Sequence, residues 1–519
     1  MVHLNILYIV FCWKIMIVQS ANILGVFPTP SISHQVVFRK LTLELAKRGH
    51  NITTITTDPV YSKGKSPENY KEIDVGHVSY PIFEKKFHNS FKVGESVSTF
   101  TEGRHRSFML IEILETQIKT PEVQELLTKD ATTFDLIFIE AFMYFALAFS
   151  HKFKAPVILV SSVGPVYQIS NIVGLPWHPF LYPAVTDERI YNLNILEKIN
   201  TLYTLLSYKY ASYLSEDNEN AQLQKYFGPE LPPLSELYNN VDMLFINVNP
   251  MWIENQPVPP NVIYMGSIHQ LPPKELPREL KRYMDSSEKG VIYVSFGTNV
   301  IPRMLPQEKI KIMVSVLSNL PYNVMWKWNQ DLPELGNNIN VSKWYPQADL
   351  LRHPNVKLFI TQAGLQSTDE AISAEVPLLA IPILGDQRFN AEKYVKYGIG
   401  IKLDIETFTA NEFKNAIETV INDESYKNNI KNLRKLFLDQ PEPPLQRAVW
   451  WSEYVIRNKG AKHLRCPAAN ISNVDYYELK FVVIIVFALV TTCIICVKIT
   501  EYIIKLMLKY FRRTKLKMM

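Results

Sequence analysis

The chain has 519 residues, of which 47% are hydrophobic and 20% are charged, so a disordered protein is excluded and two or three domains are expected. The formal net charge of +5 comes from the C-terminal tail, because seven Lys and Arg residues and a single Glu follow Val497 and the rest of the chain is close to neutral. A nucleic-acid partner is therefore not expected.

The chain begins with a segment that is typical of a secretory signal peptide, and residues 1–20 are assigned to it. Apolar residues dominate Asn5–Trp13 and Ile15–Val18, and Val18-Gln19-Ser20 suits cleavage before Ala21. Lys14 interrupts the apolar run, so the alternative is an N-terminal anchor that is retained.

Residues 21–249 are predicted to form a first α/β domain. Asn22–Phe27, Asn51–Thr56 and Leu136–Ile139 have the composition of strands. Apolar residues four positions apart in His34–Arg48 predict a helix, with Ser33 as its cap. Strands that alternate with helices indicate a parallel sheet.

The Pro-rich span 250–289 is predicted to be a linker between two halves. It includes Pro257-Val258-Pro259-Pro260 and Pro272-Pro273. Gly290–Gly297 then begins a second alternation of strands and helices, which we assign to a C-terminal domain at residues 290–440.

The most informative stretch is Phe359–Asn390. Two apolar runs, Val356–Ile360 and Pro377–Ile383, enclose a polar turn and a helix that carries Glu370, and Gly385-Asp386-Gln387 follows the second run. Ligands of open α/β sheets bind at the carboxyl ends of strands, and a helix N-terminus there suits a diphosphate. An acid one turn into the helix can bind ribose hydroxyls, and the polar residues after the second strand can bind a sugar. The residues indicate a nucleotide-sugar site, the alternative being an ordinary βαβ crossover.

This stretch resembles the signature of the UDP-glycosyltransferase family, and its Thr361-Gln362 opening resembles the insect branch of that family. Family members often have His where Gln362 stands and usually have Gly where Ala363 stands. An amide can still donate a hydrogen bond to a phosphate, but it carries no titratable charge. The resemblance covers nearly all of residues 21–500 and implies a GT-B-like α/β fold, in which two Rossmann-like domains face a cleft.

The resemblance also implies a donor site for a UDP-sugar in the C-terminal half. A Trp-X-Pro-Gln element holds the uridine in the family, although an isolated Trp is more often a core residue. The turn after the strand at 290–297 approaches the phosphates, unless it is a plain strand-to-helix connection. The implied residues are Trp344 and Gln347 for the uridine, Gly297, Thr298, Gln362, Gly364 and Ser367 for the diphosphate, Glu370 for the ribose, and Asp386 and Gln387 for the sugar hydroxyls.

Glycosyl transfer requires a base that accepts the proton of the acceptor hydroxyl. His34 is the candidate, because it lies where the first strand leads into a helix, whose N-terminus keeps an imidazole neutral. Glu140, which follows Leu136–Ile139, is the candidate carboxylate that orients it, at a place where the family usually has Asp. The alternatives are a capping or packing role for His34 and a surface position for Glu140.

No metal or other cofactor is expected, because no Asp-X-Asp pair stands at a strand end of this site. Backbone N–H groups, Thr298, Gln362 and Ser367 would stabilise the leaving UDP. The UDP-sugar is then a donor substrate, and the mechanism that the resemblance implies is inverting.

The implied function is the transfer of a hexose, glucose rather than glucuronate, to hydroxyl groups of small lipophilic acceptors. The stretch between Pro81 and Leu244 is rich in aromatic and aliphatic residues, which suits a lipophilic pocket but equally suits packing. One alternative is a non-catalytic carrier of lipophilic molecules with the same fold, and another is an enzyme directed at lipids or proteins. A homo-oligomer is left open.

The C-terminal part predicts a membrane anchor. The amphipathic segment Leu445–His463, within residues 441–479, resembles the family's helix that crosses back over the N-terminal domain before the membrane. The uncharged run Phe481–Val497 predicts a transmembrane helix at 480–499, the alternative being a buried core helix. The basic tail 500–519 is expected in the cytosol, which makes the protein single-pass type I with a lumenal body.

Short motifs give the expected location and modifications. Lys515 and Lys517 resemble a dilysine signal, which predicts the endoplasmic reticulum membrane. Asn-X-Ser/Thr sequons begin at Asn51, Asn340 and Asn470, and their occupancy is open because such short motifs arise by chance. Cys466 is the sole cysteine outside the two apolar terminal segments, which excludes a disulfide framework in the body.

Overall fold

The computed structural model of the protein describes residues 20–90, 99–129, 133–187, 189–332 and 334–517. The predicted signal peptide, residues 1–20, lies outside the described residues apart from Ser20. The strands are β1 Asn22–Phe27, β2 Asn51–Thr56, β3 Tyr70–Asp74, β4 Leu136–Glu140, β5 Val157–Ser161, β6 Val241–Ile246, β7 Val262–Tyr264, β8 Val291–Ser295, β9 Asn323–Lys327, β10 Ile339–Ser342, β11 Val356–Thr361, β12 Leu378–Ala380 and β13 Gly400–Lys402.

The α-helices alternate with these strands, as the sequence pattern predicted. They are α1 Ile32–Lys47, α2 Gly76–Ser90, α3 Thr99–Ile118, α4 Pro121–Thr128, α5 Ala148–Phe153, α6 Tyr167–Val173, α7 Ile195–Phe227, α8 Leu234–Leu237, α9 Arg278–Asp285, α10 Gln307–Ser318, α11 Gln347–Leu351, α12 Leu365–Ala374, α13 Gln387–Lys396, α14 Ala410–Asn422, α15 Glu424–Leu438, α16 Pro444–Arg457, α17 Asn473–Tyr476 and α18 Leu479–Lys517.

The strands form two parallel sheets, one in each half of the chain. The first is seven-stranded in the order β3-β2-β1-β4-β5-β6-β7, and the second is six-stranded in the order β10-β9-β8-β11-β12-β13. Both contain the Rossmann order, in which the strand sequence reverses beside the first strand. The β4 and β5 segments are buried at every position, as expected for central strands with helices on both faces. The predicted GT-B-like α/β architecture is confirmed.

The first helix begins earlier than the sequence pattern indicated. α1 starts at Ile32, so His34 lies in its first turn instead of at its boundary. The prediction that Ser33 caps this helix is wrong, because the first turn already closes when His34 N donates to Ser31 O at 3.0 Å. Ser31 is the residue that precedes the helix, and its side chain makes no capping hydrogen bond.

The predicted linker at 250–289 contains the last strand of the first sheet. Val262–Tyr264 pairs in parallel with β6, with Leu244 opposite Val262. The strand has three residues and lies at the sheet edge, where neighbouring prolines are tolerated because one side of the strand needs no ladder hydrogen bonds. The Pro-rich composition therefore concealed a structural element of the first half.

The segment after the second sheet returns to the first half of the chain. α16 ends at Arg457, six residues before the predicted helix end at His463, and Gly460 with φ +122° follows it. Glu453 Oε1 lies 3.3 Å from Arg48 Nη1 at the end of α1, and Ala461 N donates to Asp242 Oδ1 at 2.7 Å. The crossing that the resemblance implied is present, in a shorter helix than expected.

A single long apolar helix ends the described chain. Within α18, Leu479–Thr514 is long and apolar enough to cross a membrane, and its most apolar 18-residue window has a mean hydropathy of 2.9. No part of that window is buried inside the protein, so the alternative of a buried core helix does not apply.

Candidate active site

The first part of the site lies where the strand order of the first sheet reverses, between β1 and β4. His34 stands in the first turn of α1, which follows β1, and Glu140 is the last residue of β4. His34 Nδ1 lies 2.9 Å from Glu140 Oε1. Ligands of doubly wound sheets bind at this reversal. The two candidates for catalysis, which are 106 positions apart in the chain, thus meet at the ligand-binding edge.

The Glu140 carboxylate is held by two contacts. Its side chain is fully buried, and its Oε2 accepts a hydrogen bond from Thr29 N at 3.0 Å. An ionised carboxylate can only accept hydrogen bonds. In the contact between Glu140 Oε1 and His34 Nδ1 the ring nitrogen must therefore be the donor, so the ring proton is on Nδ1. The His34 side chain is 20% exposed, and its Nε2 makes no hydrogen bond to the described part of the chain. This arrangement leaves the Nε2 lone pair available to accept a proton.

The second part of the site lies at the corresponding reversal of the second sheet, between β8 and β11. Gly297 follows β8 with φ +72°, and a Cβ atom at this residue would lie 2.1 Å from Gln362 Nε2. A Cβ at Gly364 would lie 3.2 Å from the same nitrogen. The Gln362 amide therefore occupies a gap between two glycine turns. Its Oε1 accepts from Thr361 Oγ1 at 3.1 Å, which leaves the amide N–H groups for an anion.

The N-terminus of α12 opens onto the same place. Gly364 precedes the helix in an extended conformation and provides no side-chain cap. The Leu365 N–H donates to the Asp386 carboxylate, and the other N–H groups of the first turn are available for an anion. Ala363, which stands where the family usually has Gly, adopts the left-handed conformation with φ +67°. For a residue with a side chain this conformation costs about 1–2 kcal/mol. The Ala363 carbonyl accepts a hydrogen bond from Asn390 Nδ2 at 2.9 Å, which helps to hold the turn.

Three of the residues implied for the donor form one hydrogen-bonded network. Gln347 Nε2 donates to Ser367 Oγ at 3.0 Å and to Glu370 Oε2 at 2.8 Å. Tyr293 OH donates to Gln347 Oε1 at 3.2 Å, which fixes the orientation of the amide. Burial raises the pKa of Glu370, and the hydrogen bond from Gln347 opposes this shift. The network connects a residue implied for the diphosphate, Ser367, with those implied for the uridine and the ribose.

Trp344 lies at the surface beside a lysine that sequence reasoning missed. Its side chain is 59% exposed, and Lys327 Nζ lies 4.5 Å from the centroid of its ring. The same Nζ donates to Gly297 O at 2.9 Å, next to the half-buried Thr298. Burial lowers the pKa of Lys327 to about 8. Lys327 is the last residue of β9, and a cation at the carboxyl end of a strand was the signal that could have revealed it.

Asp386 and Gln387 follow β12 and begin α13. Asp386 Oδ2 accepts from Asn390 Nδ2 at 2.8 Å. Burial raises the pKa of Asp386, and the hydrogen bond from Asn390 opposes this shift. Gln387 Oε1 accepts from Ile383 N and from Leu384 N, each at 2.8 Å, so its carbonyl shapes the preceding loop. The role implied for Gln387 toward a sugar stays a prediction.

Asn390 is a second residue that sequence reasoning missed, although it ends the stretch singled out above. Its side chain is buried and joins three elements. Its Oδ1 accepts from Trp252 Nε1 at 2.8 Å, and its Nδ2 donates to both Asp386 and Ala363 O. The sequence offered no signal, because this role depends on a Trp that lies 138 positions away.

Contacts across the cleft bring the two halves of the site together. Asn299 Nδ2, which follows the Gly297 turn, donates to Ser31 Oγ at 3.0 Å. Ser31 immediately precedes the helix that carries His34. This contact brings the start of the helix that carries the base candidate beside the turn that follows β8. Among the described residues, no group of three or more His, Cys, Asp or Glu side chains is arranged to hold a metal ion, and the absence of a metal cofactor stays a prediction.

Comparison with known proteins shows that the chain matches a protein-family model and is similar to many relatives. The family model described as UDP-glucoronosyl and UDP-glucosyl transferase matches residues 22–514. An ecdysteroid UDP-glucosyltransferase of Lymantria dispar multicapsid nuclear polyhedrosis virus is 35% identical over 477 residues, which cover 91% of this chain and 94% of the viral protein. UDP-glucosyltransferase 2 of Dactylopius coccus is 31% identical over 498 residues, covering 95% of this chain and 94% of the relative.

Solved structures with the same fold include two glycosyltransferases. The glycotransferase of kitacinnamycin superposes with a TM-score of 0.55 at 17% identity and covers 85% of this chain and 99% of its own. The calicheamicin glycosyltransferase CalG4 superposes with a TM-score of 0.56 at 16% identity, with the same two coverages. At such identities the likeness concerns the fold alone.

Proposed function

Because the chain belongs to the family of UDP-glucuronosyl and UDP-glucosyl transferases, we propose that it transfers glucose from UDP-glucose to a hydroxyl group of a small lipophilic acceptor. The choice of glucose is supported by the names of the viral and insect relatives, which are UDP-glucosyltransferases. The viral relatives are named for ecdysteroids, so steroids join phenols among the acceptors to be tested.

The observation that carries this proposal is the contact between His34 and Glu140. With the proton on Nδ1 and the carboxylate beside it, Nε2 can remove the proton of an acceptor hydroxyl as the oxygen attacks. The buried carboxylate then stabilises the imidazolium that forms. A non-catalytic carrier would have no use for a base that is oriented in this way.

The reaction is proposed as a single displacement with inversion at the anomeric carbon. A bond forms between the acceptor oxygen and that carbon, and the bond from the carbon to the β-phosphate oxygen of UDP breaks. The proton of the acceptor goes to His34 Nε2, and the electron pair leaves with UDP. The N-terminus of α12, the Gln362 amide and the Thr298 hydroxyl would stabilise the negative charge on the leaving UDP without a metal ion.

The test uses the full chain in microsomes with UDP-glucose, UDP-glucuronate and a panel of phenols and steroids. His34→Ala should reduce turnover roughly 10²–10⁴-fold and leave UDP affinity nearly unchanged, because the base is not assigned to the donor. His463→Ala, at an exposed histidine hydrogen-bonded to Tyr454, is the matched control and should behave as wild type. Glu140→Gln should reduce turnover less, because it removes the charge but keeps the shape.

Three outcomes would contradict parts of this proposal. Near wild-type turnover in His34→Ala would remove this residue from the mechanism. Saturable acceptor binding without turnover on any UDP-sugar would favour the carrier. Complete loss of activity with a chelator, restored by added metal, would overturn the metal-free mechanism.

The cellular setting is part of the proposal. A basic tail after an apolar helix supports a single-pass protein of the endoplasmic reticulum membrane with its catalytic body in the lumen. Protease added to sealed microsomes should remove only the tail, and replacement of Lys515 and Lys517 by Ala should release part of the protein to the cell surface. Digestion of the whole body would reverse the orientation.

A further inference from the structure

One face of α13 packs along the segment that connects the two halves of the chain. Three polar side chains follow Asp386 on this face, at intervals of four, three and four residues, namely Asn390, Lys393 and Tyr397. Asn390 accepts from Trp252 Nε1, and Tyr397 OH donates to Met251 O at 2.6 Å. The helix that begins with the sugar-binding candidate Asp386 is therefore attached to the connecting segment.

The third of these side chains belongs to a group of charges that we call the Glu254 cluster, consisting of Tyr191, Glu254, Lys393 and Lys396. Glu254 Oε1 accepts from Lys393 Nζ and from Tyr191 OH. Lys393 Nζ also donates to Tyr191 OH at 2.7 Å, and Lys396 Nζ donates to Glu254 Oε2 at 2.5 Å. A loop of the first half, the connecting segment and α13 thus meet at one carboxylate.

Lys393 is the buried member of the Glu254 cluster. Its side chain is fully buried, whereas that of Lys396 is 35% exposed. Burial lowers the pKa of Lys393 to about 8, and the hydrogen bond to Glu254 opposes this shift, so the ammonium is charged at pH 7. A buried charge is costly unless it is paired and hydrogen-bonded. Lys393 consequently favours the arrangement in which Glu254 and Tyr191 both contact it.

The backbone at Glu254 is strained. Glu254 and Asn255 adopt the left-handed conformation, with φ of +60° and +50°. Residues with side chains adopt this conformation only where the surrounding structure holds them in it. The three hydrogen bonds to the Glu254 carboxylate provide such a restraint, and they direct the side chain toward α13.

Tyr191 is the member of the cluster that the first half contributes. It lies in the loop between α6 and α7. The Nζ atoms of Lys393 and Lys396 lie 5.1 Å and 4.9 Å from the centroid of its ring, within the range of cation–π attraction. Through Tyr191, the half of the chain that carries His34 contacts α13 directly.

The position of α13 matters more for the sugar than for the rest of the donor. Lys393 follows Asp386 by seven residues, which is about 10 Å along a helix at 1.5 Å per residue. A displacement of α13 at Lys393 is thus transmitted to Asp386 within two turns. The residues implied for the uridine, the ribose and the diphosphate precede α13 in the chain, so such a displacement affects them less.

We propose that Tyr191, Glu254 and Lys393 are positioning residues that hold α13, and with it the Asp386 carboxylate, in place for the sugar of the donor. The acceptor half would then contribute to recognition of UDP-glucose without touching it. This inference rests on the proposed function, because it takes Asp386 as a contact of the sugar.

The test is calorimetry at pH 7 on the full chain in detergent, with UDP and UDP-glucose as ligands. Tyr191→Phe removes one hydroxyl group and keeps the ring, and Lys393→Met removes the buried ammonium. Lys402→Met is the matched control, because Lys402 pairs with Glu392 on α13 from β13 of the same half. The dissociation constant of UDP-glucose should rise about threefold or more in Tyr191→Phe and about tenfold or more in Lys393→Met. The affinity for UDP should stay within about twofold of wild type in all three variants, and Lys402→Met should leave both affinities unchanged.

A double variant tests whether the cluster acts through Asp386. In the Asp386→Asn background, Tyr191→Phe should change the affinity for UDP-glucose little further, because both substitutions impair the same contact. Independent, additive losses would overturn the inference. Tyr191→Phe decides the matter even when Lys393→Met does not fold, since it removes a single oxygen atom.

Two other results would also overturn the inference. One is an unchanged ratio of the two dissociation constants in both cluster variants, including the case in which UDP and UDP-glucose weaken in parallel. The other is a change in Lys402→Met as large as that in Lys393→Met. Glucosyl transfer is measured on the same samples, and His34→Ala should abolish transfer while leaving the ratio unchanged. Failure of the catalytic proposal therefore appears in turnover, and failure of this inference appears in the ratio.

Discussion

Replacement of Gly297 by Ala tests whether the Gln362 amide binds the diphosphate. The added Cβ would lie 2.1 Å from Gln362 Nε2, whereas ordinary contacts begin at 3.4 Å. The amide must therefore move by about 1.3 Å, or its side chain must adopt another rotamer. In addition, Ala at φ +72° strains the folded state by about 1–2 kcal/mol, both with and without ligand.

These two effects have different consequences. The backbone strain lowers the melting temperature, but it is common to free and bound protein and cancels in the affinity. Displacement of the amide removes a hydrogen bond to a charged group, which is worth about 1.5–3 kcal/mol. The dissociation constant of UDP should therefore rise about 10- to 150-fold.

Isothermal titration calorimetry with UDP measures this change, and Gly64→Ala is the matched control. Gly64 has φ +79° and no atom within 4 Å of its would-be Cβ, so it shares the strain without the contact. Gln362→Ala should weaken UDP binding to a similar extent. Adding Gly297→Ala to Gln362→Ala should change the UDP affinity little further, because both substitutions act through the same amide. Equal UDP affinities of Gly297→Ala and Gly64→Ala would refute the assignment of Gln362.

Three further predictions concern the donor half. Asp386→Asn should leave the affinity for UDP unchanged and weaken the binding of UDP-glucose about tenfold or more, because a charge-assisted hydrogen bond to the sugar is lost. Calorimetry with both ligands measures this, and equal losses of affinity for UDP and UDP-glucose would contradict the sugar assignment. Asn390→Ala should destabilise the fold by about 2–3 kcal/mol because Trp252 Nε1 loses its partner, and an unchanged melting temperature in detergent would argue against this. Because the pKa of Lys327 is lowered to about 8, its ammonium is charged below pH 8, so UDP should bind most tightly there and more weakly as the pH rises above 8. Lys327→Met should remove this dependence of UDP affinity on pH. A pH profile of UDP affinity identical to that of the wild type would exclude Lys327 from donor binding.

Sequence patterns were sufficient for the elements that carry the site. Strand composition located β1 and β4 to within one residue, and the polar residues after them, His34 and Glu140, were found because parallel strands direct their carboxyl ends to a common edge. The thirty-residue stretch from Phe359 likewise specified its strand, turn and helix, because those depend on local periodicity and on residues that end elements.

The packing of the middle region could not be predicted in the same way. The stretch between Pro81 and Leu244 was interpreted as a lipophilic pocket or as packing, yet the apolar side chains at the start of α7 point to solvent. Helical periodicity identifies which residues share a face, but whether that face is covered depends on elements elsewhere in the chain. The strand Val262–Tyr264 was missed for a related reason, since three residues among prolines form a strand only when β6 provides a partner.

The sequence by itself determined the chemistry that each half supplies, because residue type and position at a strand end are local properties. Tertiary structure alone decided which of those groups meet. His34 contacts Glu140 across 106 positions, Trp252 holds Asn390 across 138, and Lys327 reaches the Gly297 carbonyl from a neighbouring strand. Such contacts depend on strand order and on the fixed distance between neighbouring strands, and no local pattern encodes either of them.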